Sequence, residues 1–231
     1  MRLDKFLADY GFGSRKEVKN IIRTKRVLVN GNVVLSDKHQ VNLTDKVQVD
    51  NKLIEVIDRI YLMLNKPVGY VCANSDQLYP TVFSLIEDFI PKDCFVCGRL
   101  DVDTTGFVFI TNDGKLAYQI SNGKKKVGKT YLVTLGQDID DSQIKMLENG
   151  VSIDDFVTTP AVVKVIDNTH IELTIYEGRF HQVKKMMVAI GNECVNLHRL
   201  AIGSLSLDSG LALGEYRHLS EKEVNKFKGD K

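Results

Sequence analysis

Long apolar runs are what this 231-residue chain most plainly lacks, since no stretch approaches the length needed to cross a bilayer. Its first residues carry charge at Asp4, Lys5 and Asp9, so they lack the uninterrupted apolar core of a signal peptide. A cytoplasmic protein with no membrane partner is expected. A charge imbalance is also missing: 31 Lys and Arg stand against 30 Asp and Glu, a formal net charge of +1. The average gives no sign of nucleic acid, and any basic surface has to be local. Cysteine is scarce, with four residues at Cys72, Cys94, Cys97 and Cys194. Cys94-Phe95-Val96-Cys97 has the spacing of half a zinc site or a redox pair, but no second Cys-x-x-Cys and no His pair completes it. Reduced, partly buried thiols are expected, with no metal and no cofactor.

What is present is an ordinary globular composition, 43% hydrophobic and 26% charged, in a length that suits one large domain or a small one followed by a medium one. Residues 1–57 read as the small one. Leu3, Phe6, Leu7 and Tyr10 recur at helical spacing until Gly11 or Gly13. Ser14-Arg15-Lys16-Glu17 is a capping box that opens a second helix running to about Arg23. Asn30-Gly31 between the β-branched runs Val27–Val29 and Asn32–Leu35 predicts a hairpin, and residues 45–50 alternate as a further strand. The first thirty residues hold eight Lys and Arg (Arg2, Lys5, Arg15, Lys16, Lys19, Arg23, Lys25, Arg26) against Asp4, Asp9 and Glu17. The basic excess hidden by the chain average therefore sits here, as a solvated helix face or a track for phosphates.

After a linker at about 52–59, residues 58–231 read as a larger α+β unit. A strand from Ile60 is ended by Pro67 and resumes after Gly69; Lys66 is a candidate RNA contact, while Pro67 and Gly69 read as structural. Pro80–Ile86 predicts a helix, Phe95–Cys97 a strand, and a helix follows near Leu116–Ser121, then a lysine run at 124–126. Strands are expected at Lys129–Leu135, Ala161–Ile166 and Ile171–Ile175, with a helix at Asp140–Asn149. Val183, Met186, Met187 and Ile190 define an amphipathic helix ending near Gly191, and Ser220-x-x-Glu223 caps a short surface helix.

The centre of this arrangement is Gly98-Arg99-Leu100-Asp101-Val102-Asp103-Thr104-Thr105-Gly106, running into the apolar strand Phe107–Ile110 and the turn Asn112-Asp113-Gly114. A loop at the edge of a rigid strand suits a reactive side chain. On local grounds alone, Asp101 and Asp103 read as turn carboxylates bonded to the Thr104 and Thr105 amides.

The same block resembles the catalytic segment of the pseudouridine synthases, in the RsuA branch: Gly-Arg-Leu-Asp, two variable residues, Thr-Thr-Gly, an apolar run, then Thr-Asn-Asp-Gly. Asn65-Lys66-Pro67-x-Gly69, Lys129-x-Tyr131 and Glu177-Gly178-Arg179-Phe180-His181-Gln182-Val183-Lys184 resemble further motifs of that family, and the likeness continues to about Arg217. Arg2-Leu3-Asp4-Lys5-Phe6-Leu7, Ser14-Arg15-Lys16 and Val27–Gly31 resemble the S-four-like (alpha-L) RNA-binding domain that often precedes such a catalytic domain. The resemblance implies an α+β chain: an alpha-L domain at 1–57, then a mainly antiparallel mixed-sheet synthase domain at 58–231.

It further implies isomerisation of a uridine in ribosomal RNA to pseudouridine, with Asp101 as the catalytic aspartate, Tyr131 against the target base and Lys184 as the cation beside Asp101. His181 reads as a hydrogen-bonded structural group in the first helical turn. Breaking the glycosidic bond, turning the base and rejoining it through C5 needs an ionised carboxylate and an enclosure for the free base, and a nearby cation favours ionisation. The target has to leave its stack, and Arg99 and Arg179 are candidates to fill the gap or hold phosphate. Arg15, Lys16, Lys19, Arg23 and Arg26 are the candidate RNA contacts of the first domain. The expected partner is ribosomal RNA or an assembling ribosomal subunit, met by a monomer. The start of the chain and the absence of a long basic tail favour 16S RNA; 23S RNA, or a non-catalytic RNA-binding assembly factor, stays open.

Overall fold

In a computed structural model, which describes residues 1–55, 59–121 and 127–229, local sequence rules account for most elements. Helix α1 (Leu3–Asp9) buries Leu3, Phe6 and Leu7. Helix α2 (Arg15–Arg23) opens on the capping box: the Ser14 amide donates to Glu17 Oε2 at 2.7 Å and the Glu17 amide donates to Ser14 Oγ at 3.4 Å. Strands β1 (Val27–Val29) and β2 (Asn32–Val33) turn at Asn30 and Gly31, both at positive φ, as a tight hairpin of this type demands. β3 (Lys46–Val49) and β4 (Lys52–Glu55) complete a four-stranded sheet in the order β2-β1-β3-β4. The linker expected from residue 52 is thus displaced: Lys52–Glu55 pairs with β3 because Ile54 is buried while Leu53 faces out, a period-two pattern that the flanking charges obscure. The lysine run at 124–126 and the linker positions 56–58 lie outside the described residues.

Met1–Ile60 and Glu87–Cys94 form one compact unit, and Tyr61–Ile86 with Phe95–Lys231 form the other. In the first, Phe89 stacks on Phe12 with ring centroids 5.3 Å apart.

The larger unit contains β5 (Tyr61–Lys66), β6 (Phe95–Cys97), β7 (Thr105–Thr111), α3 (Gly114–Ser121), β8 (Lys129–Leu135), α4 (Asp141–Asn149), β9 (Ser152–Ile153), β10 (Phe156–Val157), β11 (Val162–Asp167), β12 (His170–Ile175), α5 (Gln182–Ala189), β13 (Cys194–Ile202), β14 (Leu205–Ser206), β15 (Tyr216–His218) and α6 (Glu221–Gly229). Its main sheet runs β11-β12-β8-β13-β7-β5-β15, with β14 on β13 and β6 on β7. Pairing is antiparallel except between β7 and β13, among the described residues. Every residue of β7 is buried, as its unbroken apolar run requires at the centre of a sheet covered on both faces.

Two expectations need correction. The chain does not resume a strand after Gly69; φ of +87° there turns it aside, its amide donates to Val102 O, and only an isolated bridge from Val71 to Thr81 follows. Residues 80–86 form a single 3-10 turn, Val82–Leu85, because the chain then passes into the segment Glu87–Cys94 of the other unit. The last helix, α6, is the expected surface helix, exposed along most of its length, and is anchored by one face: Phe227 is 1% exposed and its ring lies 5.0 Å from Phe109 and 6.3 Å from Phe107. No helix among the described residues is long and apolar enough to cross a membrane.

Candidate active site

The site grows from one rung of the sheet. Tyr131 on β8 faces Arg199 on β13, Arg199 faces Gly106 on β7, and Gly106 faces Lys66 on β5. Glycine is required in that rung, since φ is +101° and a Cβ would overlap the Arg199 backbone. The loop 98–104 enters β7 at this point and is clasped from both sides. Arg199, 1% exposed, donates from Nε to Phe107 O and from Nη2 to Gly98 O, each at 2.7 Å. Lys66, with no exposed surface, donates from Nζ to Thr104 O at 2.7 Å, Pro67 O at 3.1 Å and Val102 O at 3.3 Å. Burial pushes the Lys66 ammonium below its ordinary pKa, with partial relief from Cys72, Asp103 and Asp101. Lys66 therefore cannot be the RNA contact its sequence position suggested; it is a fastening for the loop.

Within the loop, the Thr104 amide donates to the backbone carbonyl of Asp101 at 3.1 Å, so the turn is closed by main chain and not by the Asp101 carboxylate. That carboxylate lies beside a cavity of about 190 Å³, whose lining includes Thr104, Lys129, Tyr131, Arg179, His181, Lys184 and Arg199. His181 Nε2 and Lys184 Nζ each lie 3.6 Å from Asp101 Oδ2. Lys184 is nearer to Asp103, at 2.6 Å from Oδ1. Burial alone would raise the Asp103 carboxyl, but the hydrogen bond and charge of Lys184 outweigh it and hold it below its usual value. Lys184 thus bridges both carboxylates instead of serving Asp101 alone.

The opposite wall is the loop before α5. Gln182 organises it: its Oε1 accepts from the Arg179 amide at 3.0 Å, and its Nε2 donates to Glu177 Oε1 at 2.9 Å. His181 precedes the helix in a left-handed conformation, φ 54° and ψ 29°, and makes no capping bond. It is not the hydrogen-bonded first-turn residue expected from sequence; the backbone turns it toward Asp101, and its ring stacks on exposed Phe180 at 3.8 Å. Arg179 lies over the Phe156 ring at 3.8 Å, and Arg99 is exposed at the cavity edge. Tyr131 is buried in the wall, with the Arg199 guanidinium 6.0 Å from its ring centre.

On α2, Arg15, Lys16 and Arg23 are exposed, whereas Lys19 pairs with Asp37 at 3.2 Å and Arg26 donates to Asp50 at 2.8 Å. Two of the five cations expected to meet RNA are therefore partly neutralised within the unit. No group of three or more His, Cys, Asp and Glu side chains among the described residues is arranged to hold a metal.

With this geometry in view, comparison with known proteins is decisive. The RNA pseudouridylate synthase family matches residues 60–189, and the S4 domain matches residues 1–47. The chain belongs to the RNA pseudouridylate synthase family. It is 42% identical to ribosomal small subunit pseudouridine synthase A of Escherichia coli (strain K12), over 97% of this chain and 98% of that protein. It is 39% identical to the Haemophilus influenzae protein of the same name, over 98% and 99%, and 44% identical to the uncharacterized RNA pseudouridine synthase YtzG of Bacillus subtilis (strain 168), over 97% of each. A crystal structure of a pseudouridylate synthase superposes with a TM-score of 0.71 at 39% identity, covering 98% of this chain and 99% of that one.

The sequence alone assigned no role to Arg199 or Lys129, although Lys129 opens the Lys129-x-Tyr131 motif. A signal existed for each: Arg199 follows the buried Leu197 two residues on, and Lys129 precedes Tyr131, Val133 and Leu135 on the buried face of an alternating strand. A cation on the inward face of a strand calls for a partner.

Proposed function

We propose that this chain isomerises a specific uridine of small-subunit (16S) ribosomal RNA to pseudouridine, with Asp101 as the catalytic carboxylate. The observation that carries this reading is Asp101 itself, held by a loop clasped at Gly98, Val102 and Thr104, beside a cavity and within 3.6 Å of both His181 and Lys184. Two routes are open to Asp101, attack on the sugar carbon and removal of a sugar proton, and each needs the carboxylate ionised. Lys184 sets a positive charge 3.6 Å from Asp101 Oδ2. When the glycosidic bond breaks, the cavity retains the base, and the Tyr131 ring supplies a surface on which it can turn. Arg99 and Arg179 at the cavity edge hold the flanking phosphates or fill the gap the flipped base leaves.

Residues 1–57 supply RNA affinity and residues 58–231 the chemistry. Arg15, Lys16 and Arg23 on α2 are the phosphate contacts best placed to act, with Lys19 and Arg26 contributing once they exchange their carboxylate partners for phosphate. The protein acts as a monomer and meets ribosomal RNA or an assembling subunit in the cytoplasm. The proteins named small subunit pseudouridine synthase A, matched over nearly their whole length, favour 16S over 23S RNA.

The test is deletion of the gene followed by chemical mapping of pseudouridine across both ribosomal RNAs. One site should disappear from 16S RNA and return with the wild-type gene but not with Asp101→Asn. Loss confined to 23S RNA rejects the substrate; no loss from either rejects the reading.

A further inference from the structure

Among the described residues of the larger unit, three long cations are buried: Lys66, Arg199 and Lys129. Lys66 donates to three carbonyls and Arg199 to two. Lys129 is 7% exposed and donates to nothing among the described residues. Its charged surroundings do not compensate. Burial pushes its ammonium below the ordinary value, and Arg199, a like charge, pushes the same way; Cys97, which would oppose them as a thiolate, is itself driven upward by burial. Lys129 is largely buried, yet its Nζ is not among the polar atoms sealed from solvent, so an ammonium with no protein acceptor is open to one that arrives through the cavity it lines.

The position of Lys129 says from where. It stands two residues before Tyr131 on β8, on the same face of the sheet, and lines the same cavity as Asp101. A second unsatisfied polar group shares that lining: Thr104 Oγ1 is fully buried and has no hydrogen-bond partner. Two polar side chains left unsatisfied in one cavity fit an occupant that carries acceptors at its rim. Uracil does, with two ring carbonyls and an N–H between them.

We propose that Lys129 is a catalytic residue, donating a hydrogen bond to a carbonyl oxygen of the bound uracil. This rests on the reading of the chain as a uridine-isomerising enzyme and adds a role within it. When the bond from the sugar carbon to N1 breaks, the electron pair leaves with the base, and the negative charge spreads over its carbonyl oxygens. A donor already aimed at one of them stabilises that anion without reorganisation, and no proton need be transferred. Arg199 and Lys66 hold the loop, Asp101 acts on the sugar, and Lys129 acts on the base.

The test compares wild type, Lys129→Met and Lys129→Ala by tritium release from uridine-labelled 16S RNA, alongside RNA affinity and thermal melting. Lys129→Met should lower kcat by about 10²-fold to 10³-fold, the range for loss of one charge-stabilising donor, with RNA affinity changed by less than about twofold. Added methylammonium should restore turnover to Lys129→Ala in a saturable way and leave Lys129→Met unaffected, a response a structural lysine would not produce. Turnover within about threefold of wild type in Lys129→Met would overturn the proposal. So would loss without rescue in Lys129→Ala, or failure of both variants to fold. An inactive wild type on either ribosomal RNA would remove the functional reading and this role with it, whereas an active wild type beside an equally active Lys129→Met removes only the role of Lys129.

Discussion

The two units of this chain use cations in opposite ways. On α2, Arg15, Lys16 and Arg23 point outward, opposite the buried Val18 and Ile22. In the larger unit, Lys66, Lys129 and Arg199 point inward and are buried. An exposed cation keeps its water and attracts phosphate over about a Debye length, an attraction that salt weakens. A buried cation has lost most of its water and needs an acceptor close by, protein for Lys66 and Arg199, so it acts over a few ångströms and is little affected by salt. The comparison teaches that net charge says little here: a chain at +1 carries one set of cations for recruiting RNA and another for building a site.

The largest effect that would sharpen this contrast is on the group the inward set serves. Asp101→Asn should abolish detectable tritium release while RNA affinity and melting temperature stay near wild type; Asp103→Asn, which frees Lys184 from its closer partner, should cost no more than about tenfold. Appreciable turnover in Asp101→Asn would move the chemistry elsewhere.

Next comes the inward set itself. Lys66→Met leaves the buried Thr104 carbonyl and the partly buried Pro67 and Val102 carbonyls without their donor and should destabilise the larger unit by about 2–4 kcal/mol in urea unfolding, with a loss of turnover that added salt does not mimic. A stable, active Lys66→Met would mean that the loop holds its own shape.

The outward set should respond differently. Arg15→Glu, Lys16→Glu and Arg23→Glu together should weaken RNA binding and flatten its salt dependence by roughly one unit of slope per lost contact, with kcat at saturating RNA unchanged. Charge reversal is a cleaner test than truncation after residue 57, because Glu87–Cys94 belongs to the first unit and Phe89 would lose its stacking partner Phe12.

The smallest effect concerns α6, where Arg217 donates to Glu223 at 2.6 Å and 3.0 Å. The Arg217 hydrogen bonds outweigh burial and hold the Glu223 carboxyl down to about 2 from its usual 4.5. A depressed carboxyl contributes stability that is fully present above its unfolded pKa and is lost as pH falls through the folded one. Glu223→Gln should therefore lower the melting temperature by a few degrees at pH 7, and the gap to wild type should close between about pH 4.5 and pH 2. A gap that persists at pH 2 would assign the effect to packing of α6.

What the sequence by itself determined is whatever is written within a few consecutive residues. The Ser14–Glu17 box, the Asn30-Gly31 hairpin, the buried run of β7 and the ordered motif around Asp101 are all local, because caps, turns and side-chain alternation depend on neighbours in the chain. Family resemblance extended this to the S4-like and synthase folds. Only the tertiary structure decided which distant groups meet. It brought Asp101 to His181 and Lys184, eighty and more residues away, and gave Lys184 a nearer partner in Asp103. It turned Lys66 from a surface contact into a fastening, anchored α6 through Phe227 and left Lys129 without a protein acceptor. The physical reason is that burial and partner choice follow from strand register, here the rung from Tyr131 through Arg199 and Gly106 to Lys66, and register is a property of four strands together that none of them carries alone.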